Sequence, residues 1–253
     1  MITIGMDIGS VASKGVLLNG EKIFTTLLPT GWSPRKAGEQ ILATLLLEGG
    51  IGEADVDSII VTGYGRIPFS KTYRTITEIS CHARGVAAVC PGTRTIIDIG
   101  GQDSKAISIN EKGKVLDFNM NDKCAAGTGK FLQVMANTLG MDVEELAAAE
   151  VPAETVSISS MCTVFAESEI IGMLAQDVST GGIIAGLHQS VGKRVAAMAR
   201  RLGIREKVVF TGGVAKNAGV RRALEEELGC PIYIPENCQL TGALGAALLA
   251  ADK

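Results

Sequence analysis

Short β-branched runs alternate with helical patterns along most of the chain. Runs of this kind at residues 2–4 and 95–97 each lead into a turn that contains aspartate and glycine, and a strand, a second turn and another strand follow. The second turn is the dipeptide Asn19-Gly20 in the first case, which is a strong hairpin signal, and residues 111–113 in the other. Because helical patterns and further strands follow both hairpins, the sequence predicts an α/β fold.

The two aspartate–glycine turns repeat the same residues. Residues 7–14 and 98–105 carry aspartate, isoleucine, glycine, serine and lysine at matching positions. A repeat of this kind predicts two lobes of similar design, each of which offers one glycine turn to a common cleft. We expect the boundary between the lobes near residues 90–92, and a helix at about 242–251 that returns to pack on the first lobe.

Turns of this type suit phosphate binding, because backbone N–H groups can approach phosphate oxygens where no Cβ intervenes. The expected backbone donors come from both turns: Gly9, Ser10, Ala12, Ser13, Gly100, Gly101 and Gln102. Lys14 adds a positive point charge for a β- or γ-phosphate. Asp7 and Asp98 each end a strand and suit Mg²⁺ that is held mainly through water.

A third glycine element lies in the second half of the chain. Residues 211–217 begin with Thr-Gly-Gly and follow a strand predicted at 208–210. Its paired glycines, Gly212 and Gly213, allow a flat base or a ribose to approach closely, and Lys216 belongs to the same element. One such turn alone is more often a plain hairpin loop, whereas the ordered set of three indicates a nucleotide site.

These three elements, in this order, resemble the acetate and sugar kinase, heat-shock chaperone and actin superfamily. The resemblance implies two ribonuclease-H-like lobes, an actin-like ATPase fold, with a cleft for ATP or ADP between them. It assigns residues 1–92 and 241–253 to lobe I and residues 93–240 to lobe II. Gln102 and Asp103 are then the candidates for orienting or polarising the attacking water.

Composition narrows the possible partners. The 253 residues carry a net charge of -3, which gives no basic footprint for nucleic acid. The N-terminus shows no signal-peptide pattern and no apolar run reaches about 18 residues, so neither secretion nor a membrane is expected. We expect a cytoplasmic protein, in which the six cysteines stay reduced.

Two cysteines stand just before predicted helices. Cys124 precedes a helical pattern at residues 131–139, and Cys162 precedes another at 164–171. Helix N-termini stabilise thiolates and anionic clusters. Two cysteines in one chain cannot complete a four-thiolate iron–sulfur site, but a twofold symmetric dimer doubles them. The spacing matches no compact ligand motif, so packed thiols remain an open alternative on the sequence pattern alone.

Several segments resemble the activator ATPases of 2-hydroxyacyl-CoA dehydratases, in the BadF/BadG/BcrA/BcrD ATPase family: residues 63–66, 98–105, 121–131, 162–169 and 211–217. The resemblance implies that Cys124 and Cys162 of two subunits bind one [4Fe–4S] cluster in a homodimer. It also implies that the protein binds Mg²⁺ and ATP or ADP. It also implies that ferredoxin or flavodoxin donates the electrons, which pass singly to the dehydratase.

The expected function is therefore that of an ATP-dependent one-electron donor that activates a 2-hydroxyacyl-CoA dehydratase. One alternative is an ATPase that feeds benzoyl-CoA reductase or another double-cluster reductase. A small-molecule kinase of the same fold is a second, and a non-catalytic nucleotide sensor is a third. We expect ordinary structural roles for His82 and His188, and residues 63–66 form either a plain turn or a loop that faces a partner.

The other four cysteines are expected to be core thiols: Cys81, Cys90, Cys230 and Cys238.

Overall fold

A computed structural model describes residues 1–70, 72–150, 155–159 and 162–252. The first part of the chain forms, in order, β1 (Ile2–Ile8), β2 (Ala12–Asn19), β3 (Lys22–Pro29), α1 (Pro34–Gly49), β4 (Ser58–Thr62), β5 (Arg74–Thr75) and α2 (Glu78–Val89). Short 3-10 segments lie at Glu53–Asp55 and Tyr64–Phe69.

The second part begins with a hairpin and a group of helices: β6 (Thr95–Ile99), β7 (Ser104–Ile109), β8 (Val115–Asn121), α3 (Gly129–Thr138), α4 (Val143–Ala148), α5 (Thr163–Leu174) and α6 (Thr180–Arg200). It continues with β9 (Val208–Thr211), α7 (Ala218–Leu228), β10 (Ile232–Tyr233) and α8 (Thr241–Ala251). A 3-10 segment at Gly213–Lys216 separates β9 from α7.

The two sheets have the same strand order. One runs β3-β2-β1-β4-β5 and the other β8-β7-β6-β9-β10. In each sheet the first strand pairs antiparallel with the second and parallel with the fourth. The internal repeat read from two short turns therefore extends over both sheets, and the predicted α/β class is confirmed.

The first hairpin turn lies one residue later than predicted. Asn19 pairs with Lys22 across the hairpin, so the turn residues are Gly20 and Glu21 rather than Asn19 and Gly20. Gly20 has a φ of 61°, a conformation that glycine adopts without the steric cost of a Cβ. The glycine is thus the residue that fixes the turn, while Asn19 stays in the ladder.

The chain divides into two compact units. The first consists of Met1–Arg94, Ile109–Leu116 and Pro235–Lys253, and the second of Thr95–Ser108 and Asp117–Ile234. The lobe boundaries expected from the sequence, 1–92 with 241–253 and 93–240, stay a prediction.

The core of the first unit lies on both faces of its sheet. On one face the apolar side chains of β1 pack against α1, whose buried Ile41, Leu42 and Leu45 recur at helical spacing. Helix α1 begins with Pro34 after Ser33, whose hydroxyl accepts the backbone N–H of Lys36, so an orphan donor is capped.

Helix α8 covers the opposite face of the same sheet, as predicted for the C-terminal helix. Ala243 and Ala247 pack on Val16, and the Thr3 hydroxyl donates to the Ala247 carbonyl at 3.0 Å. Small residues let α8 approach α2 closely: a Cβ on Gly245 would overlap the backbone of Cys81 and Gly85. This contact is made by backbone atoms and tolerates no added volume.

In the second unit, β6 and β9 are buried along their whole length. Helix α3 contributes the buried Phe131 and Leu132, and α6 presents an apolar face that includes Ile183 and Leu187. No helix in the described part of the chain is long and apolar enough to cross a membrane.

Replacing Gly245 by alanine should destabilise the protein, because the new Cβ meets backbone carbonyl and amide atoms that cannot rotate away. We expect a loss of about 1–3 kcal/mol in the free energy of unfolding, measured by urea denaturation. Gly172→Ala on α5 is the matched control, since nothing lies within 4 Å of the added Cβ there. It should be neutral or stabilising by up to about 1 kcal/mol. Equal effects of the two changes would contradict the close α2–α8 packing.

Candidate nucleotide and cysteine sites

The first glycine turn joins β1 to β2. The Gly9 N–H donates to the Ala12 carbonyl at 3.2 Å, and Lys14 Nζ lies 3.2 Å from Asp7 Oδ2. Thr30 donates to the Gly9 carbonyl at 2.7 Å, so the buried Ser13 hydroxyl donates to Thr30 at 2.8 Å. The Ser13 hydroxyl is thus used inside the protein, whereas Ser10 is partly exposed.

The second glycine turn repeats this geometry between β6 and β7. The Gly100 N–H donates to the Asp103 carbonyl at 2.9 Å, and Lys105 Nζ lies 3.3 Å from Asp98 Oδ2. Thr211 at the end of β9 donates to Asp98 Oδ1 at 2.8 Å. Both oxygens of this strand-end carboxylate therefore have partners within the second unit.

The two turns differ in charge. Asp103 stands where the first turn has Ala12, and its carboxylate lies 2.7 Å from Lys105 Nζ. Lys105 is only 2% exposed between two carboxylates, whereas Lys14 is 17% exposed beside Asp7. Two carboxylates and one ammonium leave the second turn with a net negative charge, which favours a divalent cation. The neighbouring Gln102 is exposed.

The Thr-Gly element after β9 has a counterpart in the first unit. Gly212 adopts φ 89° and ψ 177°, and Gly63 adopts φ 86° and ψ 175° after β4. In each case a Cβ would overlap the carbonyl of the residue before the glycine turn, Ile99 or Ile8. Residues 63–66 are therefore the structural copy of the Thr-Gly-Gly element. The shared Thr-Gly dipeptide after a β-rich run was the available signal, and the sequence reading did not use it.

The element after β9 also fixes a buried histidine. Asn217 Oδ1 accepts the Val220 N–H at 2.9 Å and caps α7, so its amide group donates to His188 Nε2 at 3.1 Å. The proton of the neutral ring is then on Nδ1, which has no hydrogen-bond partner in the described part of the chain. Burial, with a contribution from Arg222, lowers the pKa of His188 to about 4. His82 contacts the Thr241 hydroxyl at 3.1 Å through Nδ1.

Helix α3 is tied to the second glycine turn by its backbone. The N–H of Gly129 donates to the Gly100 carbonyl at 2.9 Å, and the N–H of Lys130 donates to the Gly101 carbonyl at 2.7 Å. These two donors belong to the first turn of the helix, where no intrahelical acceptor is available. The chain between Cys124 and α3 is therefore anchored directly on a predicted phosphate-binding turn.

Cys162 and Cys124 differ in their relation to the helices. Cys162 is exposed and is the N-cap residue of α5, and its thiol makes no capping hydrogen bond. Cys124 is partly buried and lies in a loop ahead of α3, not at the cap. Asn121 holds this loop by donating to the carbonyls of Cys124 at 2.8 Å and Ala126 at 3.1 Å.

The remaining cysteines are mostly core residues. Cys81, Cys90 and Cys238 are buried, and burial raises the pKa of Cys81 to about 12. Cys230 differs from the expectation of a core thiol because it is only partly buried. No group of three or more histidine, cysteine, aspartate or glutamate side chains is arranged to hold a metal ion in the described ranges.

Comparison with known proteins gives full-length matches. The activator of lactoyl-CoA dehydratase from Anaerotignum propionicum is 47% identical over 100% of this chain and 98% of its own. A second match is the solved structure of the activator of the 2-hydroxyisocaproyl-CoA dehydratase from Clostridium difficile with bound ADPNP. It is 48% identical to this chain with a TM-score of 0.90, and the match covers 100% of this chain and 95% of the activator chain. The solved component A of the Acidaminococcus fermentans (R)-2-hydroxyglutaryl-CoA dehydratase is 44% identical with a TM-score of 0.93. That match covers 100% of this chain and 98% of the component A chain.

The duplicated sheets and these solved structures define a protein with the actin-like ATPase fold. The family model of the BadF/BadG/BcrA/BcrD ATPases matches residues 4–250. The chain belongs to the BadF/BadG/BcrA/BcrD ATPase family, and the resemblance seen in the sequence is confirmed.

His188 gives the protein a pH-dependent stability. Its pKa is about 4 when folded and 6.5 when unfolded, so its contribution is complete above pH 6.5 and is lost as the pH falls toward 4. His188→Gln should remove about 3 kcal/mol of the fall in unfolding free energy over this range, because glutamine still accepts from Asn217 but takes up no proton. Urea denaturation from pH 4.5 to 7.5 measures it. An unchanged pH slope in the variant would contradict a buried neutral ring.

Proposed function

We propose that the chain is an ATP-dependent activator of a 2-hydroxyacyl-CoA dehydratase, to which it delivers one electron at a time. Family membership supports the ATPase, and full-length identity to activators named for three different acyl-CoA dehydratases supports the acceptor class. The observation that carries the proposal is the pair of backbone hydrogen bonds between the second glycine turn and α3, which links a nucleotide site to a cysteine loop.

The nucleotide is ATP or ADP with Mg²⁺. The proposed phosphate donors are backbone N–H groups of the two turns, with Lys14 as a positive charge: Ser10, Ala12, Ser13, Gly101 and Gln102. Gly9 and Gly100 were expected among these donors, but their N–H groups donate to the carbonyls of Ala12 and Asp103, so they contribute the absence of a Cβ. Gly212, Gly213 and Lys216 take the adenosine side, and Asp7 and Asp98 hold Mg²⁺ through water. Gln102 is better suited than Asp103 to orient the attacking water, since Gln102 is exposed and Asp103 is bound to Lys105.

Cys124 and Cys162 are the proposed ligands of a [4Fe–4S] cluster. Thiolates are the ligands such clusters use, and both thiols are free and reach the surface at least in part. One chain supplies two of the four ligands, so a homodimer completes the set. Val164 and Phe165, next to Cys162, are 66% and 68% exposed, and an apolar surface of this kind is typical of a protein interface. The cluster supplies one-electron chemistry.

ATP acts on the cysteine loop through the hydrogen bonds of Gly129 and Lys130. A phosphate that accepts the N–H groups of Gly101 and Gln102 reorients the two peptide groups whose carbonyls hold the start of α3. Movement of that helix start shifts the loop that carries Cys124, because only the short segment 125–128 lies between them. Nucleotide exchange then biases the dimer between two states, and one of them is productive with the dehydratase.

The alternatives are less well supported. A reductase as acceptor uses the same site, but the three relatives compared above are all named for dehydratases. A small-molecule kinase has no need of an exposed cysteine at the start of an apolar helix. We propose a cytosolic protein without nucleic-acid or membrane partners, which receives electrons from ferredoxin or flavodoxin.

Replacing either proposed ligand should remove the metal. The anaerobically purified protein should contain about four irons per dimer, and Cys124→Ser or Cys162→Ser should lose them together with activation of a 2-hydroxyacyl-CoA dehydratase. Cys230→Ser is the control, since this partly buried thiol has no proposed ligand role, and it should keep its iron. Iron analysis and the coupled dehydration assay measure both. Stoichiometric zinc in place of iron would contradict the proposed electron-transfer function.

Gly129→Val should weaken the coupling between nucleotide and cysteines, because its Cβ would lie 3.0 Å from the Gly100 carbonyl oxygen. We expect wild-type iron content, but a severalfold smaller difference between ATP and ADP in the rate at which bathophenanthroline removes iron from the reduced protein. Gln133→Val, on the same helix and away from the turn, should keep the full difference. A Gly129→Val variant that responds like the wild type would show that α3 does not carry the coupling.

A further inference from the structure

An open groove runs along the side of the second unit between α6 and β8. Its volume is about 500 Å³, within the range of ligand and docking sites. Its lining combines polar side chains, among them Asn119 and Asn121 of β8, with apolar ones, among them Ile158 and Met198. All of its lining residues belong to the second unit. We refer to it below as the α6–β8 groove.

The α6–β8 groove is basic in a chain that is acidic overall. Lys193, Arg194 and Arg201 line it, and none of its lining residues in the described part of the chain is an aspartate or a glutamate. Helix α6 itself contains no acidic residue, although the whole chain has a net charge of -3. None of the three cations forms an ion pair with another residue in the ranges that the structure describes. By contrast Arg200, on the same helix, pairs with Glu227.

The groove adjoins both cysteine segments. Asn121 lines it and holds the carbonyl of Cys124, and Gly127 of the same loop lies against Arg194, where a Cβ would be 3.1 Å from Cδ. Ser159, three positions before Cys162, lines the other side and donates to Glu169 of α5 at 2.8 Å. A partner in the groove therefore lies beside the residues proposed to hold the redox centre.

The spacing of the cations indicates the size of the occupant. Residues 193 and 201 are separated by about 12 Å along the helix axis, at 1.5 Å per residue. A single phosphate cannot bridge that distance, whereas a protein surface with several carboxylates can. Lys193 and Arg201 are also exposed at the rim, so they face solvent as docking charges do.

We propose that the α6–β8 groove is the docking site for an acidic one-electron carrier protein that reduces this chain. The proposal rests on the proposed function and adds to it the place where the donor binds. The transfer moves one electron from the carrier, which is oxidised, to the chain, which is reduced, and no bond forms or breaks. Complementary charge raises the association rate and makes it fall with salt.

Direct binding tests the proposal without reference to activity. Oxidised flavodoxin is titrated against the intact dimer by surface plasmon resonance between about 20 and 300 mM salt. The triple variant Lys193→Glu, Arg194→Glu, Arg201→Glu should bind at least about tenfold more weakly at low salt, with a flatter salt dependence. Its matched control is Lys22→Glu, Lys36→Glu, Lys112→Glu, three exposed lysines of the first unit with the same change in charge. The control should lose less than about threefold.

Equal losses in the two triple variants, or no salt-dependent binding by the wild type, would overturn the proposal. A change in dimer mass in the groove variant, seen by light scattering, would do so too, because the groove would then belong to the subunit interface. The double variant Lys193→Gln, Arg201→Gln changes the surface less, so it keeps the test valid if the triple variant fails to fold. It should lose affinity for flavodoxin in proportion to the charge removed.

Reduced methyl viologen separates this proposal from the function beneath it. The dye is a small cation, so charge reversal in the groove should leave its rate of reducing the protein unchanged or raise it, while reduction by flavodoxin slows. A wild type that neither viologen nor flavodoxin reduces would remove the proposed function itself. A groove variant that both donors reduce more slowly would show damage at the redox centre, and would overturn docking.

Discussion

The hydrogen bonds from Gly129 and Lys130 to the carbonyls of Gly100 and Gly101 are the contacts on which the proposed function depends. They are backbone to backbone, so a substitution can test them only through the volume that it adds, as a Cβ at Gly129 does. They are also the natural partners of a helix start, whose first N–H groups have no acceptor within the helix. The Gly100 N–H is used inside the turn by the Asp103 carbonyl, so the N–H groups of Gly101 and Gln102 are the ones proposed for phosphate. One short segment thus joins the two sites that are proposed within the second unit.

The duplication explains why the two turns share a geometry, and their divergence explains why they differ in charge. Asp7 and Lys14 form one ion pair at the first turn, whereas Lys105 is enclosed by Asp98 and Asp103 at the second. A buried ammonium between two carboxylates has a large desolvation cost, and its geometry is correspondingly restricted. The turn proposed to hold a metal–phosphate group and to transmit its presence is the one that carries this more constrained network. The first turn keeps the simpler pair.

Much of the fold and part of the candidate site could be predicted from the sequence, because these features depend on local patterns. The alternation of strands and helices, the repeat at 7–14 and 98–105, and the existence of α8 all depend on residues close together in the chain. Other features depend on distant residues that meet only after folding. The first hairpin turn lies at Gly20 and Glu21, one residue later than predicted, because strand pairing sets the register and Asn19 pairs with Lys22 in the ladder. The α6–β8 groove could not be predicted from the sequence, because Lys193 and Arg201 come near residues of β8 only in the folded unit.

The basic groove and the negative second turn place opposite charge on the two sides of the cysteine loop, and this arrangement has a physical consequence. Arg194 lies against Gly127, while Asp103 and Lys105 sit at the turn to which Gly129 is bonded. The proposed acidic carrier is attracted to the first side, and the Mg²⁺ of the proposed nucleotide is attracted to the second. Because the loop between them is short and anchored at both ends by Asn121 and α3, the two binding events act on the same few residues. Binding of one should therefore alter the affinity for the other by the same factor in both directions, as linkage requires.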